Sequence, residues 1–153
     1  MKYFELEPEV AGGFGTNTVL KDPSARPPQI IHFHYEFEVW LGDSILEAVS
    51  CYIVTEYLMD KILDLHPTGV SFGMVEISKS DQYEDLYPGR KLPAFVWLKV
   101  VGEAGKDDFG LSLKHCLVVS QLVLDVLKES GVSHCDITEY VSWVPKTPVG
   151  RQK

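Results

Sequence analysis

Leu92-Pro93-Ala94-Phe95-Val96-Trp97-Leu98-Lys99-Val100-Val101 is the stretch on which the fold class turns. It is rich in β-branched and aromatic residues, which suit a pleated surface. Pro93 fits the first residue of a strand, where no ladder N–H is needed. The apolar run is nearly unbroken, so it predicts a central strand buried on both faces. Gly102, Gly105 and Gly110 then allow sharp turns, with Asp107-Asp108 among them.

Downstream, Leu117-Val118-Val119 reads as a short buried strand and Ser120 as the N-cap of a helix to Glu129. Leu122, Val123, Leu124, Val126 and Leu127 make that helix apolar nearly all round, which predicts a buried helix. Gly131 stops it. Val132 to Val141 reads as a last strand or two, and 144–153 as a basic, proline-containing tail.

Upstream, Tyr3–Glu7 alternates as a first strand. Gly12-Gly13-Phe14-Gly15 lacks the Lys-Ser/Thr of a phosphate loop and reads as a mobile loop. Asp22–Pro28 is turn chemistry. From Ile31 to Trp40 the alternation predicts one half-buried strand. Ile31, Phe33, Tyr35, Phe37 and Val39 share one face; His32, His34, Glu36, Glu38 and Trp40 share the other. Ser44-x-x-Glu47 spells a capping box and predicts a short helix to about Val49. Cys51–Val54 reads as a buried strand, and Thr55 as the cap of a helix with Leu58, Ile62 and Leu65 on one face. Val70–Ile77 reads as a further strand, and Ser78 or Ser80 as the cap of an acidic helical turn, Asp81–Leu86.

Two stretches echo each other. Cys51-Tyr52-Ile53-Val54-Thr55 and Cys116-Leu117-Val118-Val119-Ser120 are each an apolar strand ending in a hydroxyl cap. Each leads into a helix with an Asp five residues on, Asp60 and Asp125, and each helix gives way to Gly-Val-Ser, 69–71 and 131–133. This predicts a repeated strand–helix–strand unit, with Thr55 and Ser120 satisfying free helix N–H groups. The expected fold is α+β: a single domain over 1–143, a mixed central sheet and two main helices.

The 153 residues, 45% apolar and 24% charged, are enough for one core without staples. A net charge of −8 disfavours nucleic-acid binding, which needs clustered Lys and Arg. Cys51, Cys116 and Cys135 are odd in number and lack Cys-x-x-Cys spacing, so they read as reduced core residues of a cytoplasmic protein. The acidic start carries no signal peptide, and no run is long enough to cross a membrane.

Catalytic signatures are sparse. Asp108-Phe109-Gly110 matches the kinase metal-binding triplet, but the chain is too short for a kinase and lacks its other motifs. His115-Cys116 and His134-Cys135 are sequence neighbours, whose side chains point apart on a strand. His32 and His34, with Glu36, could ligate a metal and serve a small metal-dependent hydrolase; no further ligand motif accompanies them. No cofactor is expected.

Charge distribution is more informative. Between Pro27 and Asp60 there is no Lys or Arg, while Glu36, Glu38, Asp43, Glu47, Glu56 and Asp60 fall there. Asp81, Glu84 and Asp85, with Tyr83 and Tyr87, make a second acidic, aromatic cluster. These residues, with Trp40, Asp107 and Asp108, suit either a solvated face or a docking surface for a basic protein.

The phrases Leu86–Val100, Gly105–Leu111 and Leu117–Leu127, with the Tyr3 start and the Val10–Gly15 loop, resemble the small cytoplasmic immunity proteins of bacterial polymorphic toxin systems. The likeness spans most of the chain and brings no catalytic signature. It implies a specific inhibitor that neutralises a cognate toxin by covering its active site. For toxins with basic clefts that attack nucleic acids or nucleotides, acidic residues would stand in for phosphates. A structural adaptor in a secretion assembly is the other non-enzymatic reading.

Overall fold

Alternation and hydroxyl caps set the elements over residues 1–141, which the computed structural model describes. In order they are β1 (Tyr3–Glu7), β2 (Gly12–Phe14), β3 (Val19–Asp22), β4 (Gln29–His32), β5 (His34–Phe37), β6 (Ile45–Ala48), β7 (Cys51–Thr55) and α1 (Glu56–Leu63). Then come β8 (Val70–Gly73), β9 (Glu76–Lys79), α2 (Asp81–Leu86), β10 (Phe95–Val100), β11 (Phe109–Leu111), β12 (Leu117–Ser120), α3 (Gln121–Glu129) and β13 (Asp136–Glu139). The result is a mixed α+β domain that is mostly β. Its strands divide among several sheets rather than gathering in one. No helix among the described residues is long and apolar enough to cross a membrane. The expected tail, 144–153, lies outside the described residues.

The run quoted first is interior to its sheet. β10 pairs with β7 on one side and β8 on the other, in the order β6-β7-β10-β8. Its ladder begins at Phe95, after Pro93. Its faces serve two cores: Leu98 joins the first and Phe95 the second. Its neighbour β7 is buried at every residue. Tyr52 and Val54 enter the first core, Cys51 and Ile53 the second. The first core also takes Leu6, Phe109, Leu117 and Val119 from the sheet β11-β12-β1-β13, and Leu58, Ile62, Val123, Leu124 and Leu127 from α1 and α3. The second fills with Phe33, Tyr35, Phe37, Trp40, Tyr83 and Phe95 beneath the small sheet β2-β5-β9.

The repeat is present and extends to matching hydrogen bonds. β6-β7-α1-β8 and β11-β12-α3-β13 are each a strand pair, a helix and a strand, with one antiparallel strand inserted, β10 or β1. Thr55 Oγ1 accepts from Leu58 N, and Ser120 Oγ from Val123 N. Thr55 N donates to Ser44 O and Ser120 N to Asp108 O, each at 3.0 Å. Glu56 N donates to Ala94 O at 3.0 Å, just as Gln121 N does to Lys2 O at 3.1 Å.

Local signals misled in five places. Residues 44–49 hold β6 rather than a helix. Val49 and Ser50 have φ of 47° and 61°, a two-residue turn that folds β6 onto β7. Ser44 Oγ donates to Ser130 O at 2.6 Å instead of capping. Val70–Ile77 is two strands, β8 and β9, in different sheets. Ile31–Trp40 breaks at Phe33, so β4 pairs with β3 while β5 joins the small sheet. Gly12–Phe14 is a strand and not a mobile loop: a methyl group on Gly12 would collide with Glu36 O, so glycine permits the close approach. Finally, α3 is amphipathic, burying Val123, Leu124 and Leu127 while leaving Leu122 54% exposed.

Candidate functional site

The small sheet positions the polar residues of the Ile31–Trp40 run. Tyr35 and Phe37 point into the second core, so His34 and Glu36 take the opposite face. β9 runs parallel to β5, setting Glu76 beside His34 and Ser78 beside Glu36. On the other side Gly13 pairs with Glu36, and the space above Gly13 is open.

A continuous hydrogen-bond network crosses this face. His32 Nε2 meets Glu76 Oε1 at 2.8 Å, and Asn17 Nδ2 donates to Glu76 Oε2 at 2.9 Å. The His32 and Asn17 contacts hold the Glu76 carboxyl below the usual glutamate range. His34 is buried at 4% exposure. Its Nδ1 accepts from Asn17 N at 3.1 Å, which places the proton on Nε2. Nε2 then donates to Ser78 Oγ at 2.7 Å, and Ser78 Oγ to Glu36 Oε1 at 3.3 Å. Protons therefore point from histidine through serine to carboxylate. A nucleophilic serine needs the reverse, an imidazole nitrogen free to accept from it. His34 also has both ring nitrogens committed, and a metal ligand needs a free lone pair.

Elsewhere the carboxylates serve turns. Glu9, Asp43 and His134 bring one ligand atom each to within 4.8 Å of one another. Their oxygens already accept main-chain hydrogens. Glu9 takes Leu41 N at 2.6 Å and Asp43 N at 3.2 Å; Asp43 takes Ser133 N at 2.9 Å and His134 N at 2.7 Å. His134 Nδ1 lies 3.1 Å from Asp43 Oδ1. Glu9 thus fastens the Leu41–Asp43 turn, and Asp43 the turn after α3. Asp108 does the same for the turn after α1, accepting from Thr68 N at 2.9 Å and Ser120 Oγ at 2.8 Å. Asp107 Oδ2 accepts from Glu103 N at 2.7 Å.

The residues expected on one docking surface therefore separate. Trp40 is buried, its indole N–H donating to Asp43 O at 3.0 Å. Tyr83 is fully buried. Tyr87 is half-buried, with the Arg90 guanidinium 4.9 Å from its ring centre and 4.6 Å from that of Trp40. Those rings are held by internal partners and are not free anchors. Asp43 is 1% exposed, and half-buried Glu47 accepts from Ser50 N, its carboxyl raised by burial. Asp107 and Asp108 belong to the β10–β11 connection.

What remains together is Glu38 with Asp81, Glu84 and Asp85 of α2; Glu36 takes the face of β5 opposite Phe37, on which Tyr83 of α2 packs. Ser80 N donates to Phe37 O at 2.9 Å, which sets the start of α2 beside Glu38. Glu38, Asp81, Glu84 and Asp85 are exposed, and Glu36 is half-buried. Sequence reasoning missed Glu76, Ser78 and Asn17 in this face. Only the alternation Val75-Glu76-Ile77-Ser78 hinted at the first two. No protein-family model matches the chain, and no curated protein matches it in sequence.

Proposed function

We propose that this chain is a binding protein of the immunity type, which neutralises a basic toxin through the acidic edge formed by Glu38, Asp81, Glu84 and Asp85. The observation that carries this reading is that Glu38, Asp81, Glu84 and Asp85 are all exposed where α2 starts beside the end of β5, while the His34–Ser78 pair is bonded in the non-catalytic direction. The resemblance to immunity proteins supports the choice of partner. Complementary charge of this kind raises association rate and selectivity.

The test is co-expression with the toxin encoded beside it, read by growth rescue and by recovery of a one-to-one complex. Glu38→Lys, Asp81→Lys and Asp85→Lys together should slow association at least about tenfold at low salt, with the effect shrinking as salt rises. Absence of rescue and of complex with the unsubstituted chain would overturn the reading.

A further inference from the structure

The small sheet has an open edge. In the parallel β5–β9 ladder, Glu76 N donates to Phe33 O and Ser80 N to Phe37 O, each at 2.9 Å. The main-chain groups of Glu76, Ser78 and Ser80 are thereby turned toward β5. Alternation turns those of Ile77 and Lys79 the other way. No backbone hydrogen bond from another element reaches them among the described residues. The next segment over is Lys91–Ala94, where Pro93 has no N–H to offer. Between the two lies a groove of about 540 Å³, lined by Val75, Ile77, Lys79, Lys91, Leu92 and Phe95 among others.

The groove is apolar along its floor and basic at its rim, in a chain whose net charge is −8. Lys91 is exposed and lies beside Arg90. Lys79 Nζ sits 3.1 Å from Arg90 O and 3.7 Å from Glu84 Oε1. An exposed ion pair such as the last contributes little, so an incoming carboxylate can compete for Lys79. An unpaired strand edge offers main-chain affinity, and side chains two apart supply selectivity.

We infer that the open edge of β9 is a docking groove for one extended, acid-bearing segment of a partner protein, added as a further strand. Its main chain would pair with Ile77 and Lys79. On the one face it shares with Val75, Ile77 and Lys79, the segment would carry an apolar side chain beside Val75 and Leu92 and, two residues along, a carboxylate reaching Lys79 and Lys91. This inference does not depend on the acidic edge binding a toxin: it uses the main chain of β9 and two lysines, although Lys79 adjoins that edge through Glu84.

The test is selection from a displayed library of random nine-residue peptides against the whole chain. The expected result is enrichment of sequences carrying an apolar and an acidic residue two positions apart. The strongest peptide should shift the Ile77 and Lys79 amide resonances and bind Lys91→Glu at least about tenfold more weakly, a loss of about 1.4 kcal/mol. Lys91 makes no internal hydrogen bond or ion pair among the described residues, so that variant should keep the unsubstituted melting curve. No enrichment, enrichment of basic peptides, equal binding to Lys91→Glu, or amide shifts confined to other strands would each overturn the inference. So would a stable dimer in solution whose interface covers β9.

Discussion

Tyr83 carries a hydroxyl with no hydrogen-bond partner, although the side chain is fully buried. Its ring packs edge-on to Phe37 at 6.1 Å and tilted to Tyr87 at 4.9 Å. An unpaired buried hydroxyl costs free energy that the ring contacts do not recover. Tyr83→Phe should therefore stabilise the fold by about 1 kcal/mol, read from the urea midpoint. It should leave partner binding unchanged, because the ring faces inward. A drop in stability would show that the hydroxyl is satisfied. Glu76 supplies a second residue-level expectation. Its carboxyl is held low first by the His32 hydrogen bond and then by Asn17. His32→Ala should raise its titration midpoint toward the ordinary glutamate range, as followed by side-chain NMR. The sign is that of an acid depressed by folding: its contribution is present above the unfolded pKa and fades as pH falls through the folded one. An unchanged Glu76 midpoint would mean that the imidazole does not hold the carboxylate.

At the scale of elements, the two repeats differ most where their helices end. Gly69 and Gly131 both have left-handed φ, +80° and +83°. A methyl group on Gly131 would approach Ser44 Oγ at 3.3 Å, a hydroxyl that can move. On Gly69 it would collide with Phe109 O and lie 2.8 Å from Asp107 Cβ and 3.0 Å from Gly102 Cα. Gly131→Ala should cost about 1–2 kcal/mol from backbone conformation alone. Gly69→Ala should cost about 3 kcal/mol or abolish folding, because overpacking adds to the same conformational term. Equilibrium denaturation ranks the two, and the reverse order would contradict the collision. These caps and stops were legible in the sequence because they are local: Thr55, Ser80 and Ser120 each serve an N–H three residues on. The β5–β9 pairing was not legible, since parallel neighbours far apart in the chain leave no local mark. Nor did Ser44-x-x-Glu47 reveal β6, where pairing with buried β7 overrides a helix signal. The candidate site was half legible. Glu38, Asp81, Glu84 and Asp85 remain at one edge, but the sequence around a carboxylate does not tell solvent from a turn's N–H groups. Asp43 and Asp108 looked like surface charge and are clamps.

Across the whole molecule those clamps cross between the repeats. Asp43 precedes β6 of the first unit and holds Ser133 and His134, which follow α3 of the second. Asp108 precedes β11 of the second unit and holds Thr68, which follows α1 of the first. Each unit thus fastens the other's helix exit, and both bury α1 and α3 in one core. Neither can leave without freeing main-chain donors and opening that core for its partner. The two units should therefore unfold together despite their internal symmetry. Asp43→Ala and Asp108→Ala should each lower global stability by about 1–3 kcal/mol, the cost of donors left without acceptors. Each should retain a single transition with unchanged denaturant slope. Native-state hydrogen exchange sharpens this. The slowest amides of β7 and of β12 should lose equal protection in either variant, because global opening exposes both. If Asp108→Ala loosens β12 while β7 keeps its full protection, or a second transition separates, the repeats are independent folding units and the crossed clamps are ornament to each.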